Sequence, residues 1–168
     1  LGSSSSFTVG LLNSLNKMKN EKKTSLQLAK EAIFVEQKII KEMVGCQDQL
    51  TCGIGGLLKI DYLKGGRFKI KKNFVKKENV QKLCSYLMLF YTGIDRYSEN
   101  ILKEQIKKTK SGHNSKILKE MVSMVDPAAK ALKDGNYYDF GKMLDISWKL
   151  KKELSSSISN KKIDEYYE

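Results

Sequence analysis

Hydrophobic residues recur at helical spacing at both ends of the chain. The first of them lie three or four positions apart, at Phe7, Leu11, Leu15 and Met18. This spacing predicts a helix over about 4–18, and a second apolar pattern predicts another over about 24–44. The pattern becomes helical again from residue 95 onward, which predicts segments near 95–110, 114–134 and 137–157, with Pro127 kinking or restarting the second of them.

The middle of the chain alternates between apolar and polar residues instead. "LLKIDYL" and "RFKIKKN" are typical of strands, and the intervening 64–66 contains two glycines, which predicts a hairpin. "GCQDQLTCGIGG" is punctuated by glycines and predicts a turn region, and "CSYLMLFYTG" predicts a buried strand. Because the strands are grouped between helices rather than alternating with them, the fold class is predicted to be α+β.

The second predicted helix carries a carboxylate on its apolar face. Glu36 lies seven residues after Ala29 and four before Ile40, so all three fall on the stripe that should be buried. A carboxylate in such a place is costly unless it meets a cation, a metal or several hydrogen-bond donors. A buried salt bridge and a metal ligand both remain compatible with this position.

A second carboxylate, Asp48, follows twelve residues later in "GCQDQ". It lies between Gln47 and Gln49, and side-chain amides beside a carboxylate can orient a substrate hydroxyl. The glycines on either side permit a tight backbone next to a ligand. An ordinary turn aspartate explains the same pattern, so both interpretations stay open.

The run "LGSSSS" precedes the first predicted helix directly. One serine is a favoured N-cap, but the others are mediocre helix formers. A helix N-terminus also presents free N–H groups and a positive dipole end, where small residues let a phosphate approach and hydroxyls can bind phosphate or Mg²⁺. Helix capping and phosphate binding are therefore the two interpretations of this run.

The composition and charge of the chain limit the kinds of molecule that it is expected to bind. The chain has 168 residues, 40% of them hydrophobic, and a formal net charge of +12. This charge favours anionic partners such as phosphorylated molecules, and it makes a basic helical nucleic-acid-binding module the alternative from another class. The lysines are spread along the chain, which argues against a dedicated nucleic-acid surface, and no apolar run approaches a membrane span. Three cysteines and one histidine fit no zinc-site spacing.

Taken in order, these motifs resemble the sugar kinases of the GHMP superfamily. The resemblance rests on "LGSSSS", a glutamate inside a helix, and "GCQDQ" followed by "GIGG". Within the superfamily, "YTGIDR" and "LDISWKLKK" are most similar to the D-glycero-D-manno-heptose 7-phosphate kinases of bacterial surface-polysaccharide synthesis. The resemblance implies an enzyme with ATP and a sugar or sugar phosphate as substrates and Mg²⁺ as cofactor. It leaves the oligomeric state undecided, and a dimer is compatible with it. A cytoplasmic location is expected because reduced thiols are the simplest interpretation of the three cysteines.

The resemblance also implies a role for each matching residue. Asp48 would face the sugar hydroxyl as general base or electrostatic orienter. The phosphate loop would be formed by Gly2, Ser3, Ser4 and Ser5, and Mg²⁺ would be held by Ser4 and Glu36. Substrate contacts would come from Gln47, Thr92, Gly93 and Arg96. Of these, Arg96 is expected to grip the 7-phosphate through two hydrogen bonds.

The superfamily's first motif and its glycine-rich third motif have no counterpart in this sequence. The resemblance therefore predicts the central portion of a GHMP kinase fold, with helices packed on a small, mostly antiparallel sheet. Residues 1–56 would end the ATP-binding domain and 57–168 would form most of the C-terminal domain. The expected reaction is phosphorylation of the anomeric hydroxyl of heptose 7-phosphate, with a fucose- or galactose-type kinase as the enzyme alternative. This portion by itself is expected to be inactive.

Overall fold

The computed structural model describes residues 2–93 and 98–168, with side chains described from residue 104 onward in the helix that begins at Ser98. The chain forms two compact units, Leu1–Asn73 and Phe74–Glu168. The first unit combines helices with an antiparallel hairpin, and the second is helical in its described part. The predicted α+β class is confirmed, whereas the predicted domain boundary near residue 56 stays a prediction.

The first unit contains three helices followed by two strands. Its elements are α1 (Ser3–Met18), α2 (Ser25–Phe34) with a π-helical extension over Val35–Ile39, α3 (Gln47–Ile54), β1 (Leu58–Tyr62) and β2 (Phe68–Lys72). The strands pair antiparallel with Ile60 opposite Ile70, and a 3-10 turn over Lys64–Gly66 connects them. The predicted first helix and the predicted hairpin are thus confirmed.

A capping box starts α2. The Thr24 hydroxyl accepts a hydrogen bond from the Gln27 N–H at 3.2 Å, and the Gln27 side-chain oxygen accepts one from the Thr24 N–H at 2.8 Å. Two N–H groups that would otherwise lack partners are satisfied in this way. Just beyond the box, Leu28 and Ala32 pack with Val9 of α1 to form the core between the two helices.

The second helix ends earlier than the sequence pattern predicts. The Ile40 N–H reaches back five residues to the Val35 carbonyl at 2.9 Å, which widens the last turn into a π-helix. Lys41 then adopts a left-handed conformation with φ of 62° and ends the helix. Ile40 lies beyond the buried face and is 56% exposed. The apolar stripe therefore extends only as far as Glu36.

The turn predicted for "GCQDQLTCGIGG" is wrong, because Gln47–Ile54 forms the helix α3. This short helix buries Leu50 completely and lies against α2 at Gly53. A Cβ added at Gly53 would be 2.9 Å from the Ala29 Cβ and 3.0 Å from the Ser25 carbonyl oxygen. Glycine is therefore used here for close helix packing, whereas the sequence pattern indicated a turn.

We expect Gly53→Ala to lower the stability of the first unit. The added methyl has no space against α2, and overpacking of this kind costs about 1–3 kcal/mol. Thermal unfolding followed by circular dichroism should show a lower transition temperature than that of the parent protein. Gly10→Ala is the matched control, since a Cβ at this position in α1 would meet no atom within 4 Å. Removing a mid-helix glycine should raise stability by about 0.5–1 kcal/mol, and a Gly53→Ala variant as stable as Gly10→Ala would contradict the packing argument.

In the second unit, the regular secondary structure that is described consists of helices. They are α4 (Lys77–Ser85), α5 (Ser98–Lys110), α6 (Ser115–Ser123), α7 (Val125–Asp134), α8 (Tyr137–Leu154) and α9 (Lys161–Tyr167). Pro127 lies in the first turn of α7, so the predicted break near this proline is confirmed. In the described part of the chain, no helix has both the length and the apolar character needed to cross a membrane.

The buried strand predicted for "CSYLMLFYTG" is wrong. Its first residues belong to α4, and residues 87–93 have no regular secondary structure. Leu89 and Tyr91 are 85% and 94% exposed, so the run is not buried within this chain. A strand needs a neighbouring strand to satisfy its backbone groups, and no strand is described in the second unit.

Candidate active site

The site is built around the N-terminus of α1. Gly2 precedes this helix with φ of 60° and ψ of 26°, a left-handed conformation that favours glycine. The Ser6 N–H donates to the Gly2 carbonyl at 2.9 Å, which closes the first turn. No described side chain caps this end of the helix, so N–H groups of the first turn and the positive dipole end are available to an anion. Ser3 and Ser4 are exposed here.

Glu36 is buried beside this helix start. It is only 2% exposed and lies on the π-helical turn that follows α2. Its Oε2 accepts a hydrogen bond from the Ser5 hydroxyl at 3.2 Å and another from the Gln49 side-chain amide. Its Oε1 is also buried but has no hydrogen-bond partner among the described residues. The carboxylate is thus held by one oxygen while the other stays unsatisfied.

The unsatisfied oxygen distinguishes the two interpretations of Glu36. A buried salt bridge would place a lysine or arginine against it, and no such ion pair occurs among the described residues. Carboxylate and hydroxyl oxygens are ligands that Mg²⁺ accepts together with substrate phosphates. The buried Oε1 and the neighbouring serine hydroxyl therefore fit this cation. Ser5 contacts Glu36, whereas Ser4 is exposed, and the role of Ser4 as metal ligand stays a prediction.

Asp48 also lies close to the start of α1. It is exposed in the first turn of α3, and a Cβ built at Gly2 would be 3.8 Å from both its Cβ and its Cγ. The N-terminal ends of α1 and α3 therefore come together at these two residues. Gln47, the amide predicted to contact substrate, is exposed on the same first turn of α3. The structure thus brings Gly2, Glu36 and Asp48 to one end of the first unit.

Burial and the negative charges of this site raise the pKa of two further side chains, Cys52 and Tyr62. Burial raises the pKa of the Cys52 thiol, and the negative charges of Asp48 and Glu36 raise it further. The Cys52 thiol also points to the Gly2 carbonyl at 3.7 Å. Partial burial, the Cys46 thiol and the charge of Asp48 together raise the pKa of Tyr62 to about 12. Cys52 and Tyr62 therefore remain protonated at neutral pH beside a negatively charged site.

The sequence interpretation missed Cys52 and Tyr62, and it missed the contact of Gln49 with Glu36. Gln49 is almost fully buried against Glu36, and neither Cys52 nor Tyr62 stood out as part of a motif. Of these contacts, only the burial of Gln49 could have been predicted from the sequence. Residues two apart on a helix point about 200° away from each other, so only one glutamine of "QDQ" can face solvent. The glycines around this segment predict a turn, in which the two glutamines need not face opposite ways.

The remaining predicted substrate residues belong to the second unit. Thr92 is half-buried, and Gly93 has φ of 66°, both in the segment without regular secondary structure. Arg96 lies outside the described residues. The roles of these three residues in substrate binding stay predictions.

Comparison with known proteins supports the resemblance read from the sequence. Residues 1–56 match the family model described as GHMP kinases N terminal domain, and this match contains all the site residues of the first unit except Tyr62. D-glycero-alpha-D-manno-heptose 7-phosphate kinase from Campylobacter jejuni is 28% identical over 170 residues. The match covers 99% of this chain and 49% of that relative, so the chain spans about half the length of the relative. The predicted resemblance is confirmed.

Proposed function

We propose that the protein containing this chain is an ATP-dependent sugar-phosphate kinase. The observation that carries the proposal is the buried Glu36 carboxylate, whose unsatisfied Oε1 lies next to the uncapped start of α1. A helix N-terminus attracts phosphate and a carboxylate attracts a divalent cation, so together they suit a metal–nucleotide complex. The GHMP match over residues 1–56 supports the same interpretation.

Each residue has a chemical task in this proposal. The N–H groups at the start of α1 and the hydroxyls of Ser3 and Ser4 bind the ATP phosphates. Glu36, with a serine hydroxyl, would hold Mg²⁺, which would neutralise phosphate charge when bound. Asp48 orients the sugar hydroxyl and accepts its proton. The hydroxyl oxygen forms a bond to the γ-phosphorus, the bond from that phosphorus to the bridging oxygen breaks, and ADP leaves.

For the substrate, we propose the anomeric hydroxyl of D-glycero-D-manno-heptose 7-phosphate, which gives a 1,7-bisphosphate. Support comes from the C. jejuni relative, whose name specifies this substrate, and from the "YTGIDR" and "LDISWKLKK" motifs. Arg96 is proposed to bind the 7-phosphate, with Gln47, Thr92 and Gly93 contacting the sugar. The reaction is placed in the cytoplasm, where ATP is available.

A substrate panel tests the proposal on the full-length protein. ATP consumption is coupled to NADH oxidation, and the panel contains heptose 7-phosphate, mannose, fucose and galactose, each with Mg²⁺ and with excess EDTA. We expect Mg²⁺-dependent turnover on the heptose phosphate, with kcat/KM at least about tenfold above that for the neutral sugars. Turnover on a neutral sugar alone would support kinase activity but contradict the phosphate-binding role of Arg96. Absence of turnover on every sugar would refute the proposed activity.

A further inference from the structure

Gln49 and Gln47 occupy the same helix but have different surroundings. Both belong to α3, two positions apart, so their side chains point about 200° away from each other. Gln47 is exposed, whereas Gln49 is only 1% exposed. Gln47 therefore faces solvent, whereas the Gln49 side chain faces its buried neighbours. We expect Gln49 to act through the groups that it touches.

The group that Gln49 touches is Glu36. Its side-chain amide nitrogen donates to Glu36 Oε2, which is the same oxygen that accepts from the Ser5 hydroxyl. Both donors therefore act on one carboxylate oxygen and leave the other, Oε1, without a partner among the described residues. Had Gln49 donated to Oε1, each oxygen would accept one hydrogen bond, and neither would keep all of its lone pairs for a cation. The arrangement fixes the plane and the direction of the carboxylate.

We infer that Gln49 is a positioning residue, which holds the Glu36 carboxylate so that Oε1 is presented to a divalent cation. This inference rests on the proposed function, since it assigns Glu36 to the cation. Hydrogen-bond donors behind a metal ligand orient it and tune its affinity, and their removal commonly lowers metal affinity or activity about 10–100-fold. A buried amide that served only to fill space would not produce such an effect.

The second oxygen of Gln49 is consistent with the same role. Gln49 Oε1 is buried and lacks a hydrogen-bond partner among the described residues, as Glu36 Oε1 does. Two unsatisfied acceptor oxygens on adjacent side chains are costly in an interior that holds no compensating positive charge. A cation at Glu36 would offset this cost, directly or through a water molecule in its coordination sphere.

Metal binding measured without turnover tests the inference. The full-length protein is saturated with the non-hydrolysable ATP analogue AMPPNP, and Mn²⁺ is titrated in while free Mn²⁺ is followed by electron paramagnetic resonance. We expect Gln49→Met, which preserves side-chain volume and removes the donor, to weaken Mn²⁺ binding about 10–100-fold. Turnover measured in parallel should shift to higher Mg²⁺ concentrations and recover to within a few-fold of the parent kcat at saturation.

Controls separate positioning from folding. Thr51→Ala changes an exposed residue of the same helix and should leave Mn²⁺ affinity unchanged. If Gln49→Met does not fold, as judged by thermal unfolding, Gln49→Asn replaces it, because its shorter amide stays polar while the donor is withdrawn from Glu36. A folded variant that binds Mn²⁺ within twofold of the parent would overturn the inference. Failure of the parent protein itself to bind Mn²⁺ with AMPPNP would instead refute the proposed function.

Discussion

Asp48→Asn is expected to lower kcat about 10²–10⁴-fold, the range typical of losing a general base. The amide has nearly the shape of the carboxylate but can neither accept the proton of the sugar hydroxyl nor supply negative charge beside it. Asp48 is exposed in the first turn of α3, so the change should affect stability little, by about 0.3–1 kcal/mol through the helix dipole. The coupled assay with heptose 7-phosphate measures kcat, and thermal unfolding measures stability.

Asp134→Asn is the matched control for this prediction. Asp134 is also exposed and forms an ion pair with Lys130 one helical turn away, an interaction worth about 0–1 kcal/mol at a surface. Its replacement should leave kcat unchanged. Should Asp48→Asn retain more than about a tenth of the parent kcat, Asp48 would orient the substrate at most and would not be the base. A similar loss in both variants would indicate a general effect of charge.

Local sequence signals were sufficient to predict the first helix and the hairpin. In α1 the apolar spacing and the preceding glycine agree, and the capping box at Thr24 and Gln27 marks the start of α2. The hairpin follows from two alternating segments joined by paired glycines, both of which have positive φ. Each of these elements is determined by residues close in sequence, which is why pattern alone predicted them.

Two of the wrong predictions depended on distant residues. The glycines of "GCQDQLTCGIGG" indicate a turn locally, but Gly53 serves the close packing of α3 on α2. The apolar run at 86–91 indicates a buried strand, and whether it becomes one depends on a partner strand that is absent from the described part of the chain. The early end of α2 depends on a positive φ at Lys41, and the residue types in this segment do not predict that conformation. Tertiary context decided the first two, whereas the end of α2 is a local backbone conformation.

The candidate site was predictable to a similar extent. The apolar periodicity of α2 placed Glu36 on the buried face, and the structure confirms that burial. Periodicity cannot tell which side chains meet a buried carboxylate, because those partners come from α1 and α3. The hydrogen bonds of Ser5 and Gln49 to Glu36 therefore emerged only from the structure. The convergence of Gly2 and Asp48 likewise requires two helix ends to meet, a contact between residues 46 positions apart.

Glu36→Gln is expected to abolish Mg²⁺-dependent turnover without destabilising the protein. The amide oxygen can accept the hydrogen bonds from Ser5 and Gln49, while its nitrogen replaces the unsatisfied Oε1 and repels a cation. Losing metal stabilisation of transferred charge, worth several kcal/mol, corresponds to at least about a 10³-fold fall in kcat/KM. Removing a buried, incompletely satisfied charge should hold the thermal unfolding temperature constant or raise it.

Glu31→Gln provides the same substitution five residues earlier, on α2. Its Oε2 accepts a hydrogen bond from the Asn16 side chain at 3.1 Å, so it too connects α2 to α1, but at the opposite end of α1 from Gly2. We expect its turnover and Mg²⁺ dependence to match those of the parent. If Glu36→Gln kept more than about a tenth of parental turnover, the carboxylate would be structural. If it lost turnover together with a large drop in unfolding temperature, the negative charge would be needed for packing. The expected result is a loss of activity with unchanged or higher stability. Such opposite changes are typical of a site whose residues are selected for function at a cost in stability.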